Sequence, residues 1–322
     1  MIQANVSTAL PIDRFAQDVR AGLCHSGQKT LPPKYFYDDL GSALFDAITC
    51  LPEYGITRAE RRLLENHAVE IAQRAPAPLV IELGSGSAAK TRCVLEALLH
   101  RTRVDYCSVE ISRAALDQSH RALKDLPGLR VHGIAADYLD GLEEALQRRP
   151  PQASVLVLFL GSSLGNFEHA SARQFLRNVR SALRSHDSLL LGNDLLKPEA
   201  SLLCAYDDAL GVTAAFNLNV LLRMNRELGA DFVLPNFRHC VRFVHERGDV
   251  EMHIESTCDQ IVRFREIGFS VPLRKGETIH TESSHKYSLA EIDALAQTSG
   301  FERRAQWCDK EWPFASTLLV AV

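Results

Sequence analysis

Residues 78–92, PLVIELGSGSAAKTR, constrain the fold of this chain more than any other stretch. They predict a short buried strand at residues 79–81, then a Gly-Ser-Gly turn and a helix. The glycines at Gly84 and Gly86 allow a tight turn and let a ligand approach the main chain. Free N–H groups at the start of the helix would face that ligand. Such a turn serves a dinucleotide, a phosphate or the amino-acid end of S-adenosylmethionine.

The turn departs from two known nucleotide-binding patterns. Ala89 stands where the P-loop pattern G-x-x-x-x-G-K-[ST] requires a glycine, and the strand at 154–160 ends in Gly161 rather than in a magnesium-binding aspartate. Ala89 also occupies the third-glycine position of the dinucleotide pattern, which sometimes accepts alanine. A plain strand-to-helix turn without a ligand is a further alternative, so the motif alone does not decide the function.

Acidic residues follow three successive predicted strands. Glu82 ends the first strand, Glu110 ends VDYCSVE, and Asp137 with Tyr138 follows the strand at 129–135. An acid after the second strand of a Rossmann-like sheet hydrogen-bonds the ribose hydroxyls of an adenosine ligand. An acid beside an aromatic ring suits the adenine. Each acid alone is more often a solvated strand end, but three in register favour a nucleoside ligand, with S-adenosylmethionine preferred over NAD.

The chain predicts an α/β fold with a parallel, doubly wound sheet, because helices and strands alternate from residue 57 to residue 193. The first helix, at 57–75, carries Thr57 and Glu60 in capping-box spacing. The elements that follow are strand 79–81, helix 89–100, strand 104–110, helix 112–125, strand 129–135, helix 141–148, strand 154–160, helix 170–184 and strand 188–193. A helix at 288–300 and strands at 301–308 and 316–322 close the sheet. The loop at 161–167 and its Asn166 lie at the carboxyl ends of the strands, where ligands bind in such sheets.

Between these parts the alternation stops, which indicates a second, discontinuous α+β lobe. Its predicted elements are a helix at 12–23, helices at 199–210 and 212–227, a hairpin over 242–257, and strands at 259–264 and 277–284 that pair with each other. The sheet domain is therefore expected to comprise residues 59–196 and 286–322, and the second lobe residues 1–58 and 195–285.

Composition excludes several classes of protein. A net charge of −4 over 322 residues, with isolated basic pairs, is not a footprint for nucleic acid. No apolar run approaches the roughly 20 residues that span a bilayer, and MIQANVSTALPIDRF does not read as a signal peptide. Eight widely spaced cysteines without a C-x-x-C pair indicate free thiols of a reducing compartment, so a cytoplasmic protein is expected. Histidine spacing does not indicate a metal site.

The whole chain resembles a known family, the L-histidine Nα-methyltransferases of ergothioneine biosynthesis. The resemblance runs from about residue 14 to the C-terminus. It is carried by KYFYDDLGSALFDAITCLPEY, ELGSGSAAKTR, FLGSSLGNF, LLLGNDLLK, AYDDALGVTAAFNLNVLLRMNREL and TESSHKYS. The LGSG segment is generic to methyltransferases, whereas YDDALGVTAAFN and TESSHK are specific. The resemblance implies a Rossmann-like class I methyltransferase sheet and makes the second lobe the substrate-binding lobe.

The resemblance also implies a role for individual residues. The residues at its S-adenosylmethionine positions are Gly84, Gly86, Lys90, Glu110, Asp137 and Tyr138. Those at its histidine-binding positions are Tyr54, Asn166, Tyr206, Glu282 and Ser284, with Tyr37 near the amine. Glu110 replaces the usual aspartate, and Gly55 stands where the family commonly has a second aromatic residue.

Side-chain chemistry agrees with these roles. Asn166 and the Tyr206 hydroxyl supply neutral donors for a substrate carboxylate. Glu282 and Ser284, two residues apart on a strand, point to one face and suit an imidazole N–H. Met252 on the hairpin is a further substrate-binding candidate, although a core methionine is the plainer interpretation.

The expected reaction is three successive methyl transfers to the amine of L-histidine, through its mono- and dimethyl forms, giving Nα,Nα,Nα-trimethyl-L-histidine. S-adenosylmethionine would leave as S-adenosylhomocysteine, Tyr37 and Asn166 would orient the amine, and no metal would take part. A monomer without nucleic-acid or membrane partners is expected. The alternatives are methylation of another amino acid or amine, and a non-catalytic S-adenosylmethionine-binding sensor.

Overall fold

A computed structural model describes residues 12–322 of the chain. The expectation about a signal peptide rests mainly on residues 1–11, which lie outside the described residues. The described chain forms two compact units, one of residues 12–54 with Lys197–Ser284 and one of Gly55–Leu196 with His285–Val322. The sequence placed the first boundary at residues 58 and 59, and the structure places it at residues 54 and 55.

Helices and strands of the described chain are numbered separately in chain order. The helices are α1 (Ile12–Leu23), α2 (Asp39–Thr49), α3 (Ile56–Arg74), α4 (Arg92–Leu99), α5 (Arg113–Leu123), α6 (Tyr138–Leu146), α7 (His169–Ala182), α8 (Glu199–Tyr206), α9 (Val212–Leu228) and α10 (Leu289–Thr298). The strands are β1 (Lys29–Thr30), β2 (Leu79–Leu83), β3 (Val104–Val109), β4 (Leu129–Ile134), β5 (Val155–Phe159), β6 (Ser188–Asp194), β7 (Phe237–Val244), β8 (Asp249–Ser256), β9 (Gln260–Phe264), β10 (Phe269–Leu273), β11 (Thr278–His285), β12 (Phe301–Cys308) and β13 (Phe314–Ala321). Short 3₁₀ turns lie at Pro33–Phe36, Ser163–Asn166 and Leu234–Asn236.

The second unit, Gly55–Leu196 with His285–Val322, is built on a seven-stranded sheet of order β12-β13-β6-β5-β2-β3-β4. Neighbouring strands from β6 to β4 are parallel, whereas β13 runs antiparallel to both β6 and β12. This is the predicted Rossmann-like sheet with its closing antiparallel pair. Because the parallel strands share one direction, the turns after β2, β3, β4 and β5 lie at the same edge.

Burial explains why these strands were readable in the sequence. Every residue of β2, β5 and β6 is buried, as central parallel strands covered on both faces must be. On one face the strands pack against apolar residues of α6, α7 and α10, among them Leu142, Leu176 and Ile292. The continuous apolar runs of the sequence are therefore the core of this unit.

The first unit, residues 12–54 with Lys197–Ser284, contains a four-stranded sheet of order β1-β11-β8-β7 and a β9-β10 ribbon. The predicted hairpin is confirmed, since β7 and β8 pair antiparallel with Val244 opposite Asp249. The predicted pairing of 259–264 with 277–284 is wrong: β9 pairs with β10, and β11 joins the larger sheet. Because proline has no N–H to donate to a neighbouring strand, Pro272 led to the prediction of a loop at residues 269–273. Proline is nevertheless tolerated in edge strands, and both strands of a two-stranded ribbon are edge strands.

The chain leaves the second unit and returns to it at one place. Leu195 and Tyr287 form a parallel bridge, and the Leu196 N–H donates to the Tyr287 carbonyl at 3.0 Å. The Tyr287 N–H in turn donates to the Asp194 carbonyl at 2.9 Å.

Among the described residues, no helix combines the length and apolar character required to cross a membrane.

Candidate functional site

The Gly-Ser-Gly turn directly follows β2 in the second unit. Gly84 and Gly86 adopt φ values of 72° and 50°, a left-handed conformation that side chains rarely allow. A Cβ at Gly84 would lie 3.1 Å from the Tyr138 ring, so glycine permits this close approach. Beside Gly86 the space is open, with no described atom within 4 Å of the position of a Cβ. The turn therefore offers bare backbone to a ligand.

Glu110, which follows β3, faces this turn. Its carboxylate accepts hydrogen bonds from the N–H groups of Ile111 at 2.8 Å, Ser112 at 3.2 Å and Gly86 at 3.3 Å. Burial raises the pKa of Glu110, and these backbone donors oppose that rise. A carboxylate next to the open space at Gly86 suits the two hydroxyls of a ribose, so the residues fit an adenosine-containing group.

Asp137 and Tyr138 begin α6, immediately after β4. Asp137 is exposed and caps the helix by accepting from the Asp140 N–H at 3.2 Å. The Tyr138 ring packs edge-on against Phe159 and Phe175, with centroids 5.2 and 6.0 Å apart. The structure thus brings Tyr138 to the glycine turn and gives Asp137 a capping role.

Lys90 lies in the turn before α4. The sequence predicted that this helix begins at residue 89, but it begins at Arg92. The Lys90 ammonium group forms an ion pair with Glu60, which is fully buried. The two oxygens of Glu60 also accept from the Gly161 N–H at 2.8 and 3.0 Å. The predicted capping box of Thr57 and Glu60 is therefore wrong. Gly55 caps α3 without a side-chain hydrogen bond, and Glu60 instead ties Lys90 to the loop after β5.

The loop after β5 has a strained entry. Gly161 and Ser162 have φ values of 76° and 60°, and the Ser162 hydroxyl accepts from the Asp194 N–H at 2.9 Å. Strain in a non-glycine residue persists only where its surroundings hold it, and it concentrates at functional sites. Asn166 is half-buried at the end of the 3₁₀ turn in this loop. The loop thus lies at the same sheet edge as the glycine turn.

In the first unit, Tyr206 and Ser284 meet directly. The Tyr206 hydroxyl donates to Ser284 Oγ at 2.8 Å, although the two residues are 78 positions apart. Tyr206 and Ser284 are both buried, and so is Glu282, which is 7% exposed. A carboxylate that is buried on a strand carries an energetic cost unless polar groups compensate it.

Aromatic rings continue from Tyr206. The Tyr54 ring lies edge-on to it at 6.2 Å, Phe45 follows at 6.4 Å from Tyr54, and Tyr37 lies 5.7 Å from Phe45. The structure therefore places three of the predicted tyrosines along one aromatic row. Met252 is buried on β8, and its backbone oxygen lies 3.0 Å from the Thr281 hydroxyl on β11.

Trp312 explains how the chain accommodates Gly55. A Cβ at Gly55 would lie 2.2 Å from the indole ring, so Trp312 occupies the space that a side chain at position 55 would need. The indole N–H donates to Asp194 at 2.9 Å. No local pattern in the sequence marks Trp312, and the pattern at Glu60 indicates a capping box instead of its contact with Lys90, because the partners of both residues are distant in the chain.

Comparison with known proteins places the chain in a family. The model of the family described as "Histidine-specific methyltransferase, SAM-dependent" matches residues 15–321. The chain is 39% identical to the histidine N-alpha-methyltransferase of Mycolicibacterium smegmatis, over 96% of this chain and 95% of that protein. It is 38% identical to the protein of the same name from Mycobacterium tuberculosis, over 94% and 93%. It is also 32% identical to ergothioneine biosynthesis protein 1 of Neurospora crassa, over 87% of this chain and 32% of that protein. The chain therefore belongs to the histidine-specific, S-adenosylmethionine-dependent methyltransferase family.

Proposed function

We propose that the protein methylates the α-amino group of L-histidine three times, giving Nα,Nα,Nα-trimethyl-L-histidine as the first step of ergothioneine biosynthesis. The observation that carries this proposal is the buried polar set Tyr206, Glu282 and Ser284 in a chain of this family. A buried carboxylate with hydroxyl neighbours binds a polar heterocycle and rejects apolar side chains, which would leave it unpaired. The similarity to two histidine N-alpha-methyltransferases along almost their whole length supports the same substrate.

The cofactor residues proposed are those of the second unit. Gly84 and Gly86 would leave room along the backbone, Glu110 would accept from the ribose hydroxyls, and Lys90 would face the carboxylate of the amino-acid end. Asp137 and Tyr138 would border the adenine. S-adenosylmethionine supplies the electrophilic methyl group when bound, so the chain has mainly to position the reactants and exclude water.

The substrate residues proposed are Tyr37, Tyr54, Asn166, Tyr206, Met252, Glu282 and Ser284. Asn166 and the Tyr206 hydroxyl would donate to the carboxylate, the hydroxyl turning its one hydrogen from Ser284 to the substrate, whereas Glu282 and Ser284 would read the imidazole. Tyr37 and Asn166 would orient the amine. The Tyr37 and Tyr54 rings both pack edge-on against Phe45, and this packing favours fixed positions for their hydroxyl groups.

We further propose a monomer in a reducing cytoplasm. All eight cysteines are free thiols, which is typical of proteins that fold in such a compartment. Light scattering on the purified protein tests the oligomeric state, and fractionation of the producing cells tests the compartment.

The decisive experiment is mass spectrometry of the purified protein with S-adenosylmethionine and each common amino acid in turn. We expect histidine to gain up to three methyl groups, at 14 Da each, and the other amino acids to remain unmodified. Methylation of a different amino acid would refute the roles of Glu282 and Ser284 while leaving the cofactor residues intact. Cofactor binding without any methyl transfer would favour the sensor alternative.

A matched pair of variants tests the imidazole-reading role. Glu282→Gln removes the buried charge, and Glu255→Gln makes the same change on β8, where the side chain pairs with the exposed Arg238 at 2.8 Å. We expect only Glu282→Gln to reduce histidine turnover. Equal activities for the two variants would contradict the proposal.

A further inference from the structure

A chain of hydrogen bonds lies behind Tyr206 in the first unit. Tyr206 is the last residue of α8, so its carbonyl is one of those that the helix itself leaves unpaired. The imidazole Nε2 of His239, on β7, lies 2.8 Å from this carbonyl oxygen. Because a carbonyl can only accept, Nε2 must carry the hydrogen. Burial lowers the pKa of His239, so its other nitrogen, Nδ1, is an acceptor in the neutral ring.

Asn217 of α9 donates to this acceptor nitrogen. Its side-chain nitrogen lies 2.8 Å from His239 Nδ1 and 3.0 Å from the His253 carbonyl oxygen, which uses both amide hydrogens. Its side-chain oxygen accepts from the Thr281 hydroxyl at 2.7 Å. Asn217 has no exposed surface, and Thr281 is 1% exposed. Reversing the amide would place an oxygen against two acceptors, so the network fixes its orientation.

The two ends of this network reach residues of the proposed substrate site. One end is Tyr206, whose hydroxyl donates to Ser284 at 2.8 Å. The other end is Thr281, which directly precedes Glu282 on β11. The hydrogen bonds of His239, Asn217 and Thr281 therefore connect the carbonyl end of α8 to the strand that carries Glu282 and Ser284. Such a polar network fixes one arrangement when every member is satisfied.

We propose that Asn217 and His239 are positioning residues that hold Tyr206 against Ser284 and thereby set the affinity for the amino-acid substrate. The proposal rests on the proposed function, because it concerns residues assigned there to histidine binding. Neither side chain needs to touch the substrate. Their contribution is to remove the freedom of Tyr206 before binding, which lowers the cost of ordering the site.

The test compares Asn217→Leu, His239→Leu and His239→Gln with Asn225→Leu. Asn225 lies on the same helix and makes two hydrogen bonds of 2.8 Å to the backbone of Phe232, away from Tyr206, so it is the matched control. Asn217→Leu and His239→Leu should raise KM for histidine by about tenfold, the change expected from one lost hydrogen bond. KM for S-adenosylmethionine should stay within about twofold, a split that a general loss of stability would not produce. His239→Gln keeps a donor for the Tyr206 carbonyl and should restore most of the affinity.

A crystal structure of Asn217→Leu gives a readout that does not depend on the substrate. We expect the distance from the Tyr206 hydroxyl to Ser284 to lengthen beyond hydrogen-bonding range. An unchanged distance of 2.8 Å would overturn the inference, as would a KM shift of the same size in Asn225→Leu. If wild-type protein failed to methylate histidine, the proposed function would be refuted, and this structure would still decide whether Asn217 positions Tyr206.

Discussion

Replacing Glu82 with glutamine should change how the stability of this protein depends on pH. Glu82 is buried at the end of β2, where it accepts hydrogen bonds from the Thr91 hydroxyl at 2.7 Å and from the Tyr106 hydroxyl. Burial raises the pKa of Glu82 from 4.5 to about 7, although both hydrogen bonds and Lys90 oppose the rise. The folded protein therefore holds this proton more tightly than the unfolded chain does.

The sign and the magnitude follow from proton linkage. Below pH 4.5 both states are protonated at Glu82, and the residue contributes no pH dependence. Between pH 4.5 and about 7 the unfolded chain releases the proton while the folded protein keeps it, so the free energy of unfolding falls as pH rises. At about 1.4 kcal/mol per pKa unit, the loss is about 3 kcal/mol, and it is complete above pH 7. Glutamine does not titrate and should not show this loss.

Urea unfolding followed by circular dichroism between pH 4 and pH 8 measures the effect. The free energy of unfolding of Glu82→Gln, relative to wild type, should rise by about 3 kcal/mol across this range. Glu302→Gln is the control, because Glu302 is exposed on β12, and its difference from wild type should stay constant. A constant difference for Glu82→Gln as well would show that the carboxyl group titrates normally in the folded protein, and the reasoning would fail.

Three further substitutions have expected outcomes. Glu282→Gln should lower kcat/KM for histidine by about 10- to 100-fold, which is the effect expected from losing a hydrogen bond to a charged group. Steady-state kinetics measures this ratio, and a loss of less than about twofold would contradict the prediction. Gly55→Ala should lower the free energy of unfolding by about 1–3 kcal/mol, because the new Cβ would lie 2.2 Å from the Trp312 ring. An unchanged melting temperature would refute this packing. Asp187→Ala should cost about 3–5 kcal/mol, since it leaves the buried Arg149 unpaired, and denaturant unfolding measures the loss. A cost below 1 kcal/mol would show that Arg149 finds other partners.

The sheet of the second unit was predictable because short, continuous stretches of the sequence indicate its strands. Strands such as β2 and β5 are buried on both faces, so they appear in the sequence as uninterrupted apolar runs between helical segments. The errors arose where one local pattern fits two structures. The spacing of Thr57 and Glu60 satisfies a capping box, yet Glu60 is recruited by Lys90, 30 residues away. Pro272 made the sequence of β10 look like a loop, although the strand pairs with β9 on both sides of the proline.

The candidate site was predictable where the sequence itself carries the arrangement. Glu282 and Ser284 share a strand face by their spacing, and Gly84 lies at the edge of the sheet where the parallel strands end. In contrast, the contact of Tyr206 with His239 joins a helix end to a strand 33 residues away, and Asn217 links both to β11. No periodicity marks such contacts, because they depend on which elements the fold brings together.

The backbone pairing of Leu195 with Tyr287 makes the segment between these two residues modular. Since the chain departs from the sheet and rejoins it within one backbone pairing, the excursion over residues 197–284 can change in length or sequence while both of its ends stay fixed. Variation in that excursion leaves the register of β6 against β5 and β13 unaltered. Evolution can therefore exchange or remodel a whole segment of this architecture without redesigning the seven-stranded scaffold, as it does when one domain is inserted into another.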